Sequence, residues 1–163
     1  MRLVIIAIAF AVATAPTVAA AQDTLSSDSA TVIGVVQRFF DAMSHRDTAS
    51  ARATMVSGAQ LISIAAGSNA AAPRRESDSS FIARLATNKE GLLERMWSPR
   101  VRVEGDIAEL WTSYDFHLGG KFSHCGIDAF TLLRTTKGWQ IASIAYTVQR
   151  TRCVASPLGP ATS

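Results

Sequence analysis

The pattern of hydrophobic and polar positions changes character along the chain. Residues 3–13 (LVIIAIAFAVA) are apolar without interruption. From Val32 onward, Ile33, Val35, Val36, Phe39, Phe40 and Met43 recur at three- and four-residue spacing, while Gln37, Arg38 and Asp41 fall on the other side. That spacing predicts an amphipathic helix, with Ser29 or Thr31 as its N-cap. His45-Arg46-Asp47 reads as a turn, and Asp47 suits the cap of a short second helix through Ala49, Ala51, Ala53 and Met55. Leu61, Ile62 and Ile64 predict a brief strand, and residues 66–75 (AGSNAAAPRR) an exposed loop. Ser77 or Asp78 is placed to start a third helix carrying Phe81, Ile82 and Leu85, ending near Asn88 to Gly91.

Beyond Gly91 the period shortens to alternation. Residues 92–104 read as an extended segment interrupted at Pro99, and Gly105-Asp106 turns the chain into a strand from Ile107 to Leu118. Gly119-Gly120 is the next hairpin turn, leading into residues 122–134. Thr136-Lys137-Gly138 suits a three-residue loop into a last strand, 139–149. Helices early and hairpin-linked strands late predict an α+β domain: a cone-shaped, curved mixed or antiparallel sheet with the N-terminal helices packed on its concave face. A bent sheet closed by helices leaves a hollow that suits a small ligand.

The apolar run at the front changes the reading of the rest. Eleven residues are too few to span a bilayer, which takes roughly 20. Ala19-Ala20-Ala21 before Gln22 satisfies the small-x-small cleavage rule, so residues 1–21 read as a secretory signal. The expected organisation is then a flexible lead-in over 22–30, a domain over 31–153 and a flexible tail over 154–163. Export to a periplasm or the extracellular medium follows, without stable membrane insertion after cleavage. The mean hydropathy of +0.17 owes much to this segment. The full chain of 163 residues carries 16 Lys+Arg against 13 Asp+Glu, too near balance for a nucleic-acid footprint.

Export also bears on Cys125 and Cys153, the only two cysteines, because an oxidising compartment favours a disulfide. Hairpin pairing places Cys125 opposite Gln149, four residues short of Cys153, so a bridge requires the chain to bend after Gln149. No His-x-His, Glu-x-x-His or carboxylate group at metal spacing occurs, nor a nucleophile elbow or phosphate loop. The sequence therefore predicts neither metal nor cofactor.

Three segments carry a family resemblance: the helix VIGVVQRFFDAMSHRD, the hairpin VRVEGDIAELWTSYDF, and the closing strands CGIDAFTLLRTTKGWQIASIAY. Together they resemble the nuclear-transport-factor-2-like (NTF2-like) superfamily in its SnoaL-like branch, over roughly residues 30–153. The resemblance implies the cone fold, an internal pocket for a small organic ligand and a homodimer through the sheet. It implies no single chemistry, since the superfamily includes isomerases, dehydratases, cyclases and non-catalytic modules.

Uninterrupted hairpins then dictate which side chains share a face. Asp115 falls opposite His124, Trp111 opposite Asp128, Asp128 opposite Tyr146 and Arg102 opposite Glu109. One face collects Trp111, Ser113, Asp115, His117, His124, Asp128 and Tyr146; the other collects Leu110, Thr112, Tyr114, Phe116, Ile127, Ala129, Leu133 and Ile141. If the polar face lines the pocket, Asp115 charges His124 as a general acid/base, with Asp128 as a further catalytic candidate and Trp111 and Tyr146 as ligand contacts. If it is the outer face, its charges are solvated, Phe130, Leu132 and Ile144 form a dimer patch, and Tyr114 becomes the polar handle inside. Trp97 and Trp139 read as core or pocket-lining aromatics. His45, Arg74 and Arg75 read as solvated. A slip of one residue in any loop exchanges the two faces.

Overall fold

The computed structural model describes residues 19–67 and 72–161, the first eight of these by backbone alone. Most of the expected signal segment lies outside the described residues. Helix α1 (Ala19–His45) is followed by α2 (Thr48–Ala53), strands β1 (Met55–Ala65) and β2 (Arg74–Ser77), and helix α3 (Asp78–Thr87). Strands β3 (Leu92–Glu104), β4 (Ile107–Leu118), β5 (Lys121–Thr135) and β6 (Gly138–Val148) complete the chain as an antiparallel meander. The six strands form one sheet in the order β2-β1-β6-β5-β4-β3, in which β1 runs parallel to β6 and every other pair is antiparallel.

Local chemistry accounts for the boundaries. Asp47 caps α2 by accepting from the Ala49 and Ser50 amides, and Ser77 caps α3 by accepting from Ser80. Two elements differ from expectation. Helix α1 begins at Ala19, so the residues expected as a lead-in over 22–30 are continuous with it; Asp28 on this turn holds Arg134 at 2.6 Å. The loop expected over 66–75 ends in β2, whose Arg74 and Arg75 pair with Ser63 and Ile62 of β1.

Helix α1 buries Val32, Val35, Val36, Phe39, Phe40 and Met43. The concave side of the sheet answers with Leu61, Leu110, Phe130, Leu132, Ile141 and Ile144, all 5% exposed or less. Phe130, Leu132 and Ile144 are thus core residues, and the alternative that made them a dimer patch is corrected. Register shifts between Trp97 and Arg100, Phe116 and His117, and Thr131 and Leu132 break three of the ladders. Such bulges bend strands and give an unclosed sheet its curvature.

Candidate functional site

One bulge decides what the site contains. At the β4-β5 tip the pairing is as expected, with His117 opposite Phe122. An extra residue in β5, Ser123, then shifts the register, so Phe116 faces His124, Tyr114 faces Gly126, Asp115 faces Cys125 and Thr112 faces Asp128. Because side chains alternate, this one-residue shift separates the expected polar face into two. His124, Asp128 and Tyr146 look into the concave side with Thr112, Tyr114 and Phe116. Trp111, Ser113, Asp115 and His117 look outward. The expected Asp115–His124 and Trp111–Asp128 pairs do not form; Asp128 opposite Tyr146, Arg102 opposite Glu109 and Cys125 opposite Gln149 do.

On the concave side the focus is a carboxyl pair. Glu94 of β3, opposite Phe116, brings its side chain beside that of Asp128, which is 2% exposed. Asp128 Oδ2 has no hydrogen-bond donor from any other described group. Two carboxyls in contact are compatible only if one holds a proton, since two buried like charges repel and neither has water to screen it. Burial drives the Glu94 carboxyl up to about 7 against a modest opposing hydrogen bond from Asp128, with the Asp115 charge adding to the rise. Burial, then the charge of Glu94, raises Asp128 well above the ordinary carboxylate range. Glu94 escaped the sequence reading. The signal was present: it shares its alternation phase with the core-facing Leu92 and Met96, so a helix-covered sheet places it inside.

Around the pair, Tyr146 stands opposite Asp128 and beside Ser63, its partner across β1-β6. Burial raises the Tyr146 hydroxyl, partly offset by the Ser63 hydrogen bond. His124 stacks on Phe116 at 4.9 Å and meets Tyr114 edge-on at 5.7 Å; burial, then the Arg150 charge, lowers its pKa. Glu94, Met96, Phe116, His124, Tyr146 and Ser63 are all half-buried, unlike the sealed apolar residues beneath α1. Tyr114, expected as a polar handle, is 1% exposed and donates its hydroxyl to the Thr147 carbonyl at 2.8 Å. It reaches that oxygen by crossing Gly126, where a Cβ would stand 1.9 Å from Thr147 O and 2.8 Å from the Tyr114 ring. Glycine is therefore required there for close backbone approach.

The outward group has a different chemistry. Arg95 grips Asp115 with Nε at 2.9 Å and Nη2 at 2.5 Å, and His117 Nε2 lies 3.5 Å from the same carboxylate. Burial raises Asp115, but the Arg95 hydrogen bonds and charge, helped by His117, hold it below its ordinary value. Arg95 Nη1 also donates to the Gly159 carbonyl at 3.0 Å, so the C-terminal tail lies against this cluster. The Cys125–Cys153 disulfide is present and anchors that tail, with Cα atoms 6.0 Å apart. The chain turns after Gln149, whose side-chain amide donates to the Thr151 and Arg152 carbonyls. Trp111 is 56% exposed on the outer face, and half-buried Trp97 pairs with Ser113 on the same face. Neither joins the concave group. Among the described residues no three His, Cys, Asp or Glu side chains form a metal-holding group.

A family model described as "Putative lumazine-binding" matches residues 27–147. The chain belongs to that family. Its fold is NTF2-like, as solved structures attest. An NTF2-like superfamily protein from Salmonella enterica is 14% identical, with a TM-score of 0.62 over 81% of this chain and 98% of that one. An NTF2-like protein with a cystatin-like fold from Novosphingobium aromaticivorans is 15% identical, with a TM-score of 0.63 over 88% and 95%. A third, from Streptomyces avermitilis, is described as a "putative dehydratase" of the NTF2-like family; it is 16% identical, with a TM-score of 0.62 over 80% and 99%. Comparison with curated proteins gave no match.

Proposed function

We propose that this is an exported domain that binds a small, partly apolar organic molecule on the concave side of its sheet, against Glu94, Asp128, Tyr146, Ser63 and His124. Within the superfamily the SnoaL-like branch is the placement that fits. The carboxyl pair carries the reading. A pair sharing one proton presents a donor and acceptors together, which complements the N–H and C=O edge of a flat heterocycle such as lumazine. Half-buried Met96, Phe116 and His124 supply apolar and aromatic surface for its ring. The disulfide, together with a described chain in which no helix is long and apolar enough to cross a membrane, is compatible with export. Exposed Trp111, Ile107 and Leu133 support a homodimer through the outer sheet face. Titration with lumazine, followed by its own fluorescence, tests the binding. Saturable quenching is expected, weakened at least 10-fold by Glu94→Gln with Asp128→Asn; equal response of the double variant sinks this assignment.

A second reading is favoured by the Glu94 carboxyl lying near 7. A general acid/base works best when its pKa is close to the working pH, so the same pair suits cofactor-free isomerisation, dehydration or cyclisation. In this reading Asp128 retains the catalytic part that the sequence suggested, with His124 farther along the same face of β5; Asp115 does not take part. A rate profile flat across pH 5 to 9 for any identified substrate would remove it.

A further inference from the structure

The second hollow of interest lies away from the carboxyl pair, where α1, α2 and the β5-β6 turn meet. It encloses about 380 Å³, within the range of small-ligand sites. Its floor is buried and mostly apolar: Val35 and Ala42 of α1, Thr54 after α2, and Trp139 of β6. Its rim is exposed and charged, with Arg38 and His45 from α1, Lys137 from the β5-β6 turn, and the acids Asp41 and Asp47.

The two acids are already engaged by their own helices. Asp41 accepts from Gln37 Nε2 at 2.9 Å, and Asp47 accepts from the Ala49 and Ser50 amides and the Ser50 hydroxyl, at 2.6 to 3.1 Å. The cations are not so engaged: among the described residues neither Arg38 nor Lys137 has a hydrogen-bonded or ion-paired side-chain partner. His45 directs Nδ1 to the Asp41 carbonyl at 2.7 Å, leaving Nε2 for another partner. One side of the Trp139 indole is taken by the Arg134 guanidinium, 4.4 Å from the ring, and Arg134 is itself held by Asp28 and Asp106. The little of Trp139 that stays accessible, 5% of the residue, contributes to the floor of the hollow. A buried indole and small apolar side chains below two cations call for a ligand with a flat apolar body and one negative group.

From this arrangement we propose a second binding site, for a small aromatic carboxylate or an organic anion of like shape, with the ring against Trp139 and the anion between Arg38 and Lys137. Arg38 supplies the forked donor pair that matches a carboxylate and Lys137 a mobile second charge. The site is independent of the carboxyl pair, which would repel the same ligand.

The protein has three tryptophans, so Trp97→Phe with Trp111→Phe leaves Trp139 as the only indole reporter. In that background 4-nitrobenzoate, an indole quencher, is expected to quench emission saturably, and the uncharged 4-nitrobenzamide at least 10-fold more weakly. Arg38→Gln with Lys137→Gln should weaken nitrobenzoate binding at least 10-fold with unchanged circular dichroism, since both side chains are exposed. Arg38→Lys with Lys137→Arg should keep most of it, and Glu94→Gln all of it. Equal quenching by acid and amide, or undiminished binding in the charge-removed variant, overturns the site. Loss of binding in Glu94→Gln overturns it too, by moving the ligand to the concave side; the lumazine titration stands or falls separately.

Discussion

Two acid clusters on opposite faces of the sheet meet at adjacent residues of β3, Glu94 and Arg95, and reach opposite states. Glu94 of β3 and Asp128 of β5 face the concave side; Arg95 of β3 and Asp115 of β4 face outward. Asp115 and Asp128 are both at least 95% buried, so burial alone does not separate them. The partner does. A guanidinium with two hydrogen bonds keeps Asp115 ionised, whereas a second carboxyl forces Asp128 and Glu94 to hold a proton between them. The first arrangement is spent on structure, tying β3, β4 and the tail together. The second is left with proton affinity near neutrality, the property a binding or proton-transfer site needs.

This contrast can be broken at its strongest point by Arg95→Leu, which leaves Asp115 buried without its cation. The expected cost is about 4 kcal/mol, read as the urea midpoint at pH 7; a loss below about 1 kcal/mol would show that the outer cluster is not structural. Cys153→Ser frees the tail that covers this cluster. With the cysteines 28 residues apart, loop-closure entropy puts the loss at about 3 kcal/mol. Arg95→Leu and Cys153→Ser together should then cost less than the sum of the two, because both release the same segment.

The inner cluster makes the opposite kind of prediction. Glu94 rises from an ordinary 4.5 to about 7 on folding. The folded state therefore binds more protons than the unfolded chain between those values, and stability is full below about 4.5 and lost as pH rises through 7. The shift corresponds to on the order of 3 kcal/mol, discounted where the half-buried residue meets solvent. Glu94→Gln should flatten this slope in urea midpoints measured from pH 4.5 to 8 and leave the variant more stable at the alkaline end. An unchanged slope would mean that the pair does not share a proton in the folded protein. The smallest effect belongs to Trp111, exposed on the outer face. Trp111→Ser should alter monomer stability by less than about 0.5 kcal/mol, yet shift light-scattering mass from dimer to monomer if this face is the interface.

Much of the fold was legible because its signals are local. The 3.6-residue spacing of Val32 to Met43, the Asp47 and Ser77 caps, and the glycine turns at Gly105, Gly119 and Gly138 each act over a few residues. The parallel pairing of β1 with β6 was not legible, because it joins segments roughly 80 residues apart with no turn to announce it. The candidate site was legible only in part. Asp128 and Tyr146 were matched correctly because two one-residue differences cancel: the β5-β6 turn is one residue shorter than expected, with Thr135 opposite Gly138, and the Thr131/Leu132 shift restores the expected register beyond it. Asp115 and His124 were matched wrongly, because the Phe116/His117 bulge carries no sequence mark.

What the amino-acid sequence determined by itself was which residues alternate or recur, where helices and hairpins start and stop, and that Cys125 and Cys153 are the two cysteines able to pair. These follow from backbone sterics, capping and chain connectivity, which need no distant partner. Only the tertiary structure decided which face of each strand is inside. Strand side chains repeat every two residues, so one inserted residue in β5 reverses the assignment, and the choice is made by the burial of the apolar residues on every strand at once. That choice set Glu94 against Asp128 and gave Asp115 to Arg95.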